Sequence, residues 1–207
     1  MEKRIFVAIA GNIGSGKSSL TQLLSNEFGW TPYFESVEDN PYLKDFYRDM
    51  KRWSFHVQVY FLSKRFIHQK DFIAKEESII QDRSIYEDAE IFARNLYNLG
   101  MMEERDFRNY RELFAAMTSY LQPPDLLIYL RSSVTELQRK ISQRGRDFEK
   151  GITSGYLEQL NALYESWIGG YAAGRLLVFE SDRLDFVANR SDFEFIVRKI
   201  RDTVPTL

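Results

Sequence analysis

The chain contains no cysteine and only two histidines among its 207 residues. Disulfides, thiolate metal sites and cysteine nucleophiles are therefore excluded, and a structural zinc site lacks most of its usual ligands. Positive charge is not in excess: 28 Lys plus Arg stand against 30 Asp plus Glu, a net charge of -2. So balanced a chain has no global field to hold a nucleic-acid polymer or an anionic membrane, and any anion it binds must be held locally. No apolar run approaches the roughly 18 to 20 residues needed to cross a bilayer. Lys3-Arg4 followed by Ile5-Phe6-Val7-Ala8-Ile9-Ala10 resembles a signal peptide only superficially. The run is short and leads into a glycine-rich loop instead of a cleavage site, so it reads as a buried strand of a soluble, cytoplasmic protein. Repeats, low-complexity tracts and Gly/Ser/Pro-rich linkers are also missing, which predicts one domain over residues 1–207. With 44% hydrophobic residues the chain has enough apolar material for one substantial core. Its chemistry is left to carboxylates, lysine, arginine and hydroxyls.

Short apolar, β-rich runs recur at about Arg4 to Ala10, Pro32 to Ser36, Ser78 to Gln81, Asp125 to Leu130 and Leu176 to Phe179, and suit strands buried on both faces. Helical patterns lie between them: Lys17 to Phe28, Arg52 to Lys75, Tyr86 to Asn98, Asp106 to Leu121, Val134 to Gln143, Ser154 to Tyr171 and Asp192 to Asp202. This alternation predicts an α/β fold, a parallel sheet covered by helices, with ligands at the carboxyl ends of the strands.

Gly11-Asn12-Ile13-Gly14-Ser15-Gly16-Lys17-Ser18 fits G-x-x-x-x-G-K-[ST] and stands where that motif must, after an apolar strand and before an amphipathic helix. Glycines let the backbone turn its N–H groups inward on a polyphosphate, the new helix directs its positive dipole end there, and Lys17 reaches the terminal phosphates. Ser18 is the expected Mg²⁺ ligand, with Ser19 beside it. ATP or another nucleoside triphosphate is the expected nucleotide.

A phosphate loop alone does not name the acceptor. Glu35, at the end of the second apolar run, would face the crevice into which a triphosphate projects, where it could take a proton from an attacking hydroxyl. Alone, it also reads as a solvent-facing strand end. The third run ends in Asp82-Arg83, an acid and a base at the mouth of the same sheet. Asp82 suits either a magnesium ligand or a base, and Arg83 suits charge on a transferred phosphoryl group.

These residues resemble the deoxynucleoside kinases of the deoxycytidine and deoxyguanosine kinase family, bacterial deoxyadenosine kinases above all. The likeness runs from the phosphate loop through Glu35-Ser36-Val37-Glu38-Asp39-Asn40-Pro41-Tyr42-Leu43 and Trp53-Ser54-Phe55-His56-Val57-Gln58. It continues through Asp82-Arg83-Ser84-Ile85-Tyr86-Glu87-Asp88, Pro123-Pro124-Asp125-Leu126-Leu127-Ile128-Tyr129-Leu130 and Arg144-Gly145-Arg146. The resemblance implies a P-loop NTPase-like, five-stranded parallel sheet flanked by helices with a short basic lid. It also implies a homodimer and transfer of the γ-phosphoryl group of ATP to the 5′-hydroxyl of a deoxynucleoside.

By the same resemblance, Glu35 is the general base and Arg83 orients it and contacts phosphate, while Asp82 is either proton acceptor or metal ligand. Tyr47 and Glu149 resemble the pair that hydrogen-bonds the sugar 3′-hydroxyl. Gln58, Arg65 and Asp88 resemble the base-reading set and favour bases with an exocyclic amine, deoxyadenosine first, with deoxyguanosine and deoxycytidine open. Gln58 and Arg65 are seven apart on one helical stretch, so they share a face. Lys140, Arg144 and Arg146 look like the lid over the phosphates, although basic residues also suit a helix C-terminus. Asp185 and Phe186 fall in the loop that resembles the adenine cradle.

Two other readings compete. A nucleoside monophosphate kinase of the thymidylate kinase kind shares the loop and lid but needs more positive charge for its acceptor phosphate. A silent nucleotide-binding regulatory subunit should have lost the loop, Glu35 or the Asp82-Arg83 pair, and all of these are present. An Asn-Lys-x-Asp guanine-reading motif is absent, against a GTPase switch.

Overall fold

The computed structural model describes residues 4–34, 39–75 and 77–204. Strand β1 (Phe6–Gly11) leads into helix α1 (Lys17–Phe28), and the short β2 (Thr31–Tyr33) follows. Helix α2 (Leu43–Arg48) precedes the long α3 (Met50–Ala74), which returns the chain to β3 (Ile79–Asp82). A helical run then passes through α4 (Ile85–Glu87), a π-helical turn (Asp88–Ala93) and α5 (Arg94–Asn98), and α6 (Glu104–Thr118) packs beside it. β4 (Leu126–Arg131), α7 (Val134–Arg144), α8 (Ser154–Gly169), β5 (Arg175–Glu180) and α9 (Arg190–Thr203) complete the order.

The strands form one five-stranded sheet in the order β2-β3-β1-β4-β5, and every neighbouring pair is parallel. Period-two alternation divides β1 between two layers. Val7 and Ile9 join Ile80, Ile128 and Leu130 against Leu20 and Leu24 of α1 and Ile196 and Ile200 of α9. Phe6, Ala8 and Ala10 join Leu127 and Tyr129 against Leu160 and Tyr164 of α8. A third cluster, centred on Val57 and Leu62 of α3 and Tyr110 and Phe114 of α6, builds the wall beyond the sheet's carboxyl ends. No helix among the described residues is long and apolar enough to cross a membrane.

Two expectations are corrected. Strands buried on both faces describe β1, β3 and β4, but β2 is only half-buried and Val178 of β5 is exposed, because both lie at sheet edges. The single helix expected from Tyr86 to Asn98 is interrupted by the π-helical turn that carries Asp88 and Phe92. Such turns widen a helix by one residue and are frequent at functional sites.

Candidate active site

β1 ends at Gly11, and residues 12–16 carry the chain into α1. Gly14 and Gly16 adopt φ of 86° and 96°, left-handed values that a Cβ disfavours. A Cβ on Gly14 would also come within 2.9 Å of Ile141 Cγ1 on α7. Gly16 caps α1 without a side-chain hydrogen bond, which leaves the first N–H groups of the helix to an anion. Lys17 Nζ donates to the Asn12 carbonyl at 2.9 Å across the loop. The Asn12 side chain is turned away, donating to Leu157 O at 3.0 Å and Asn161 Oδ1 at 2.7 Å on α8, so it braces the loop instead of serving a phosphate. Ser15 is fully buried, packed so tightly beneath Gly11 that a Cβ there would lie 2.5 Å from its Oγ.

Two hollows meet at this loop. One is a cavity between the sheet's carboxyl ends and the third apolar cluster, lined by Ile13, Leu43, Phe46, Tyr47, Val57, Gln58, Phe61, Asp82, Arg83, Asp88, Phe92, Glu149 and Tyr156. The other is an open groove of about 940 Å³, lined by Gly16, Ser19, Lys140, Asp185 and Phe186, within the size range of small-molecule sites. Gly14, Lys17, Ser18, Arg144 and Arg146 line both. A group passing from one hollow to the other would cross the loop lysine, Ser18 and two arginines.

Asp82 is 3% exposed and accepts a short hydrogen bond from Ser18 Oγ, while its Oδ1 is buried with no hydrogen-bond partner. A hydroxyl and a carboxylate joined in this way, with one carboxylate oxygen left over, suit a hard divalent cation. Arg83 does not form the surface pair with Asp82 that its neighbour suggests. It is buried, at φ 71°, and its Nη1 donates to Tyr164 Oη at 2.7 Å and Glu87 Oε1 at 3.3 Å. Its guanidinium carbon lies 4.4 Å from the centre of the Phe92 ring, within cation–π range.

Also in the cavity lining, Gln58 is 4% exposed and its Oε1 is buried with no hydrogen-bond partner. Asp88 lines the same cavity and binds Arg65 at 2.5 Å, a pair in which both side chains are at most 5% exposed. Arg65 itself does not line the cavity, whereas its partner Asp88 does. Tyr47 and Glu149, the pair expected at the sugar, both line the cavity, and the Glu149 carboxylate is held by Arg144, at 2.6 and 3.1 Å, with Arg146 Nη1 at 3.6 Å. Glu149 is therefore tied to two arginines of the lining that both hollows share.

Lys140 donates to Ser181 Oγ at 3.3 Å and pairs with Glu136 at 3.4 Å on the groove wall. The Asp185 carboxylate accepts from Ala188 N, consistent with a structural side chain, and Phe186 is a buried ring under Gly16 as well as a groove residue. Glu35 lies outside the described residues.

Sequence reasoning missed three residues. Tyr156 lines the cavity, and burial pushes its phenol up to about 12. Burial likewise pushes the Tyr164 phenol well above its ordinary value, with Arg83 opposing and Glu87 adding to the rise. Glu87 is fully buried and hydrogen-bonded to both Arg83 and Tyr164. The only signal for it was the Ser84-x-x-Glu87 spacing, which reads as a helix capping box.

Comparison with known proteins agrees with this geometry. A deoxynucleoside kinase family model matches residues 7–205. The chain is 39% identical to the deoxyadenosine/deoxycytidine kinase of Bacillus subtilis over 98% of this chain and 94% of that protein. It is 37% identical to the deoxyguanosine kinase of the same organism, over 96% of this chain and 97% of that protein. The structure of the M. mycoides deoxyadenosine kinase with products dCMP and a flexible dCDP superposes with a TM-score of 0.85, at 31% identity, over 96% of this chain and all of that one. The same enzyme with bound dATP gives a TM-score of 0.84. With the phosphate loop, the two joined hollows and matches over nearly its full length, the chain belongs to the deoxynucleoside kinase family, ATP-dependent enzymes that phosphorylate deoxynucleosides.

Proposed function

We propose that this kinase transfers the γ-phosphoryl group of ATP to the 5′-hydroxyl of deoxyadenosine. The observation that carries the choice of base is an unsatisfied amide in the cavity wall. Gln58 presents a buried amide oxygen with no hydrogen-bond partner, and the carboxylate of Asp88 lines the same cavity. An amide supplies both an acceptor and a donor, which matches the amine and ring nitrogen on one edge of adenine. Burying that amide without a partner is costly, so a base lacking the complementary groups is penalised. The relatives named for deoxyadenosine support this choice, and those named for deoxyguanosine or deoxycytidine mark its competitors.

In this reading the deoxynucleoside lies in the cavity and the triphosphate in the groove, so that the γ-phosphoryl group meets the 5′-oxygen at the lining the two hollows share. The phosphate loop and Lys17 hold the β and γ oxygens, and Arg144 and Arg146 neutralise charge on the group in transit. Ser18 and Asp82 would hold Mg²⁺, which supplies further neutralisation on the phosphates when bound. Arg83 faces the acceptor. Glu35 is the general base in this reading, and this leaves Asp82, joined to Ser18, to the metal. Tyr47 and Glu149 receive the 3′-hydroxyl, and pairing into a homodimer belongs to the same proposal.

The test is phosphate transfer from labelled ATP with Mg²⁺ to deoxyadenosine, deoxyguanosine, deoxycytidine, thymidine, adenosine and thymidine monophosphate at equal concentrations. A 5′-monophosphate formed chiefly from deoxyadenosine is expected. Preference for deoxyguanosine or deoxycytidine would overturn the base assignment alone, and transfer only to the monophosphate would overturn the acceptor site. Light scattering of the purified protein tests the dimer.

A further inference from the structure

Glu87 is a carboxylate with no solvent exposure that lines neither hollow, and nothing above gives it a function. Its two oxygens do different things. Oε2 accepts from Ser84 N at 2.7 Å and Ser84 Oγ at 3.2 Å, completing the capping box that starts α4. Oε1 is turned inward and accepts from Gly11 N at 3.3 Å, Arg83 Nη1 at 3.3 Å and Tyr164 Oη at 2.7 Å. A capping box needs only one oxygen and is usually solvated, so capping does not account for a wholly buried carboxylate.

The donors at Oε1 come from three segments that must keep register for phosphoryl transfer. Gly11 is the residue at which β1 becomes the phosphate loop, Arg83 is the last turn out of β3, and Tyr164 projects from α8 behind both. Tyr164 Oη accepts from Arg83 at 2.7 Å and has one proton, which Glu87 Oε1 and the Gly11 carbonyl at 2.8 Å both receive within hydrogen-bond distance. Arg83 itself has a left-handed backbone, which a side chain disfavours and which persists only where the surroundings over-determine it.

We infer that Glu87, with Tyr164 behind it, is a positioning residue: it ties the Arg83 guanidinium to the Gly11 N–H, so the arginine is set at a fixed place relative to the phosphate loop. The inference rests on the reading of Arg83 as the arginine that faces acceptor and phosphoryl group. Arginine on a flexible stem reaches a developing charge only after losing rotamer freedom. One fixed beforehand loses nothing at the moment of reaction, so the effect belongs to kcat and not to ground-state binding.

The experiment compares four full-length proteins, wild type, Glu87→Gln, Arg83→Ala and the double variant, in steady-state transfer from ATP and Mg²⁺ to the deoxynucleoside each phosphorylates fastest. Glu87→Gln should lower kcat by about 10- to 100-fold, the range seen when outer-shell partners of a metal site are removed, with each KM within about threefold. In the Arg83→Ala background the same change should alter kcat by less than about twofold, because residues acting as one unit are not additive. An equal fold-loss in both backgrounds, or a raised KM with kcat unchanged, overturns the inference. If Glu87→Gln does not fold, Tyr164→Phe runs the same cycle, since it removes the Arg83 acceptor and keeps the ring. An unaltered kcat in Arg83→Ala alone would sink the reading of Arg83 and the inference with it, and so tells the two failures apart.

Discussion

Replacing Asp88 by alanine should be among the most damaging single changes in the molecule, and replacing Arg65 along with it should be less so. The two side chains meet at 2.5 Å, at most 5% exposed, with Arg65 also stacked 5.3 Å from the Phe61 ring centre. Asp88→Ala leaves a guanidinium buried without its carboxylate. Breaking a buried pair in this way typically costs about 3–5 kcal/mol, because the remaining charge keeps its burial and loses the carboxylate at 2.5 Å. For a chain of this size, about 2–4 °C of Tm per kcal/mol translates that into a fall of about 6–20 °C. Arg65→Met with Asp88→Ala removes both charges and keeps an apolar side chain beside Phe61, so the double variant should recover part of the loss despite deleting more atoms. Differential scanning calorimetry of wild type, both singles and the double gives the coupling directly. The same proteins, run in the acceptor panel, should shift in preference towards thymidine as the Asp88 part of the cavity wall becomes apolar. Additive Tm losses, or an unaltered deoxyadenosine preference in the double variant, would refute the reasoning.

Other changes test the remaining parts of the site. Glu35→Gln should cut turnover by about 10²- to 10⁴-fold, as expected for loss of a general base, while ATP binding measured by calorimetry survives. Asp82→Asn should raise the Mg²⁺ concentration needed for half-maximal rate, and chelation of Mg²⁺ by EDTA should abolish transfer in every variant. Gly14→Ala combines a left-handed φ of 86° with a contact of 2.9 Å to Ile141, so it should destabilise the fold by about 1–3 kcal/mol in urea titration and impair transfer. Raising the pH from about 10 to 12 should lower stability through Tyr156. Its neutral form is held by burial up to about 12, so over that interval the folded state binds more protons than the unfolded chain. Tyr156→Phe should flatten that part of the stability profile.

The sequence by itself determined the elements whose physics is local. Helix α1 runs from Lys17 to Phe28 as its pattern predicts, because a glycine loop, an amphipathic repeat and a closing Gly29 are all contiguous. The parallel sheet was legible for the same reason, since apolar runs spaced by helices have few other ways to bury themselves. The phosphate loop was legible because its chemistry needs adjacent residues. The sharing of Gly14, Lys17, Ser18, Arg144 and Arg146 by two hollows was not, because it joins segments more than a hundred residues apart. Tertiary structure alone separated Arg83 from its neighbour Asp82, sending one to Glu87 and Tyr164 and the other to Ser18. It alone showed that Arg65 pairs with Asp88 without lining the cavity, that Glu149 is held by Arg144, and that a π-helical turn carries Asp88 and Phe92. Glu87 shows the limit most plainly. Its spacing from Ser84 announces a helix cap, but its second oxygen acquires a purpose only when β1, β3 and α8 converge on it in a space closed to water.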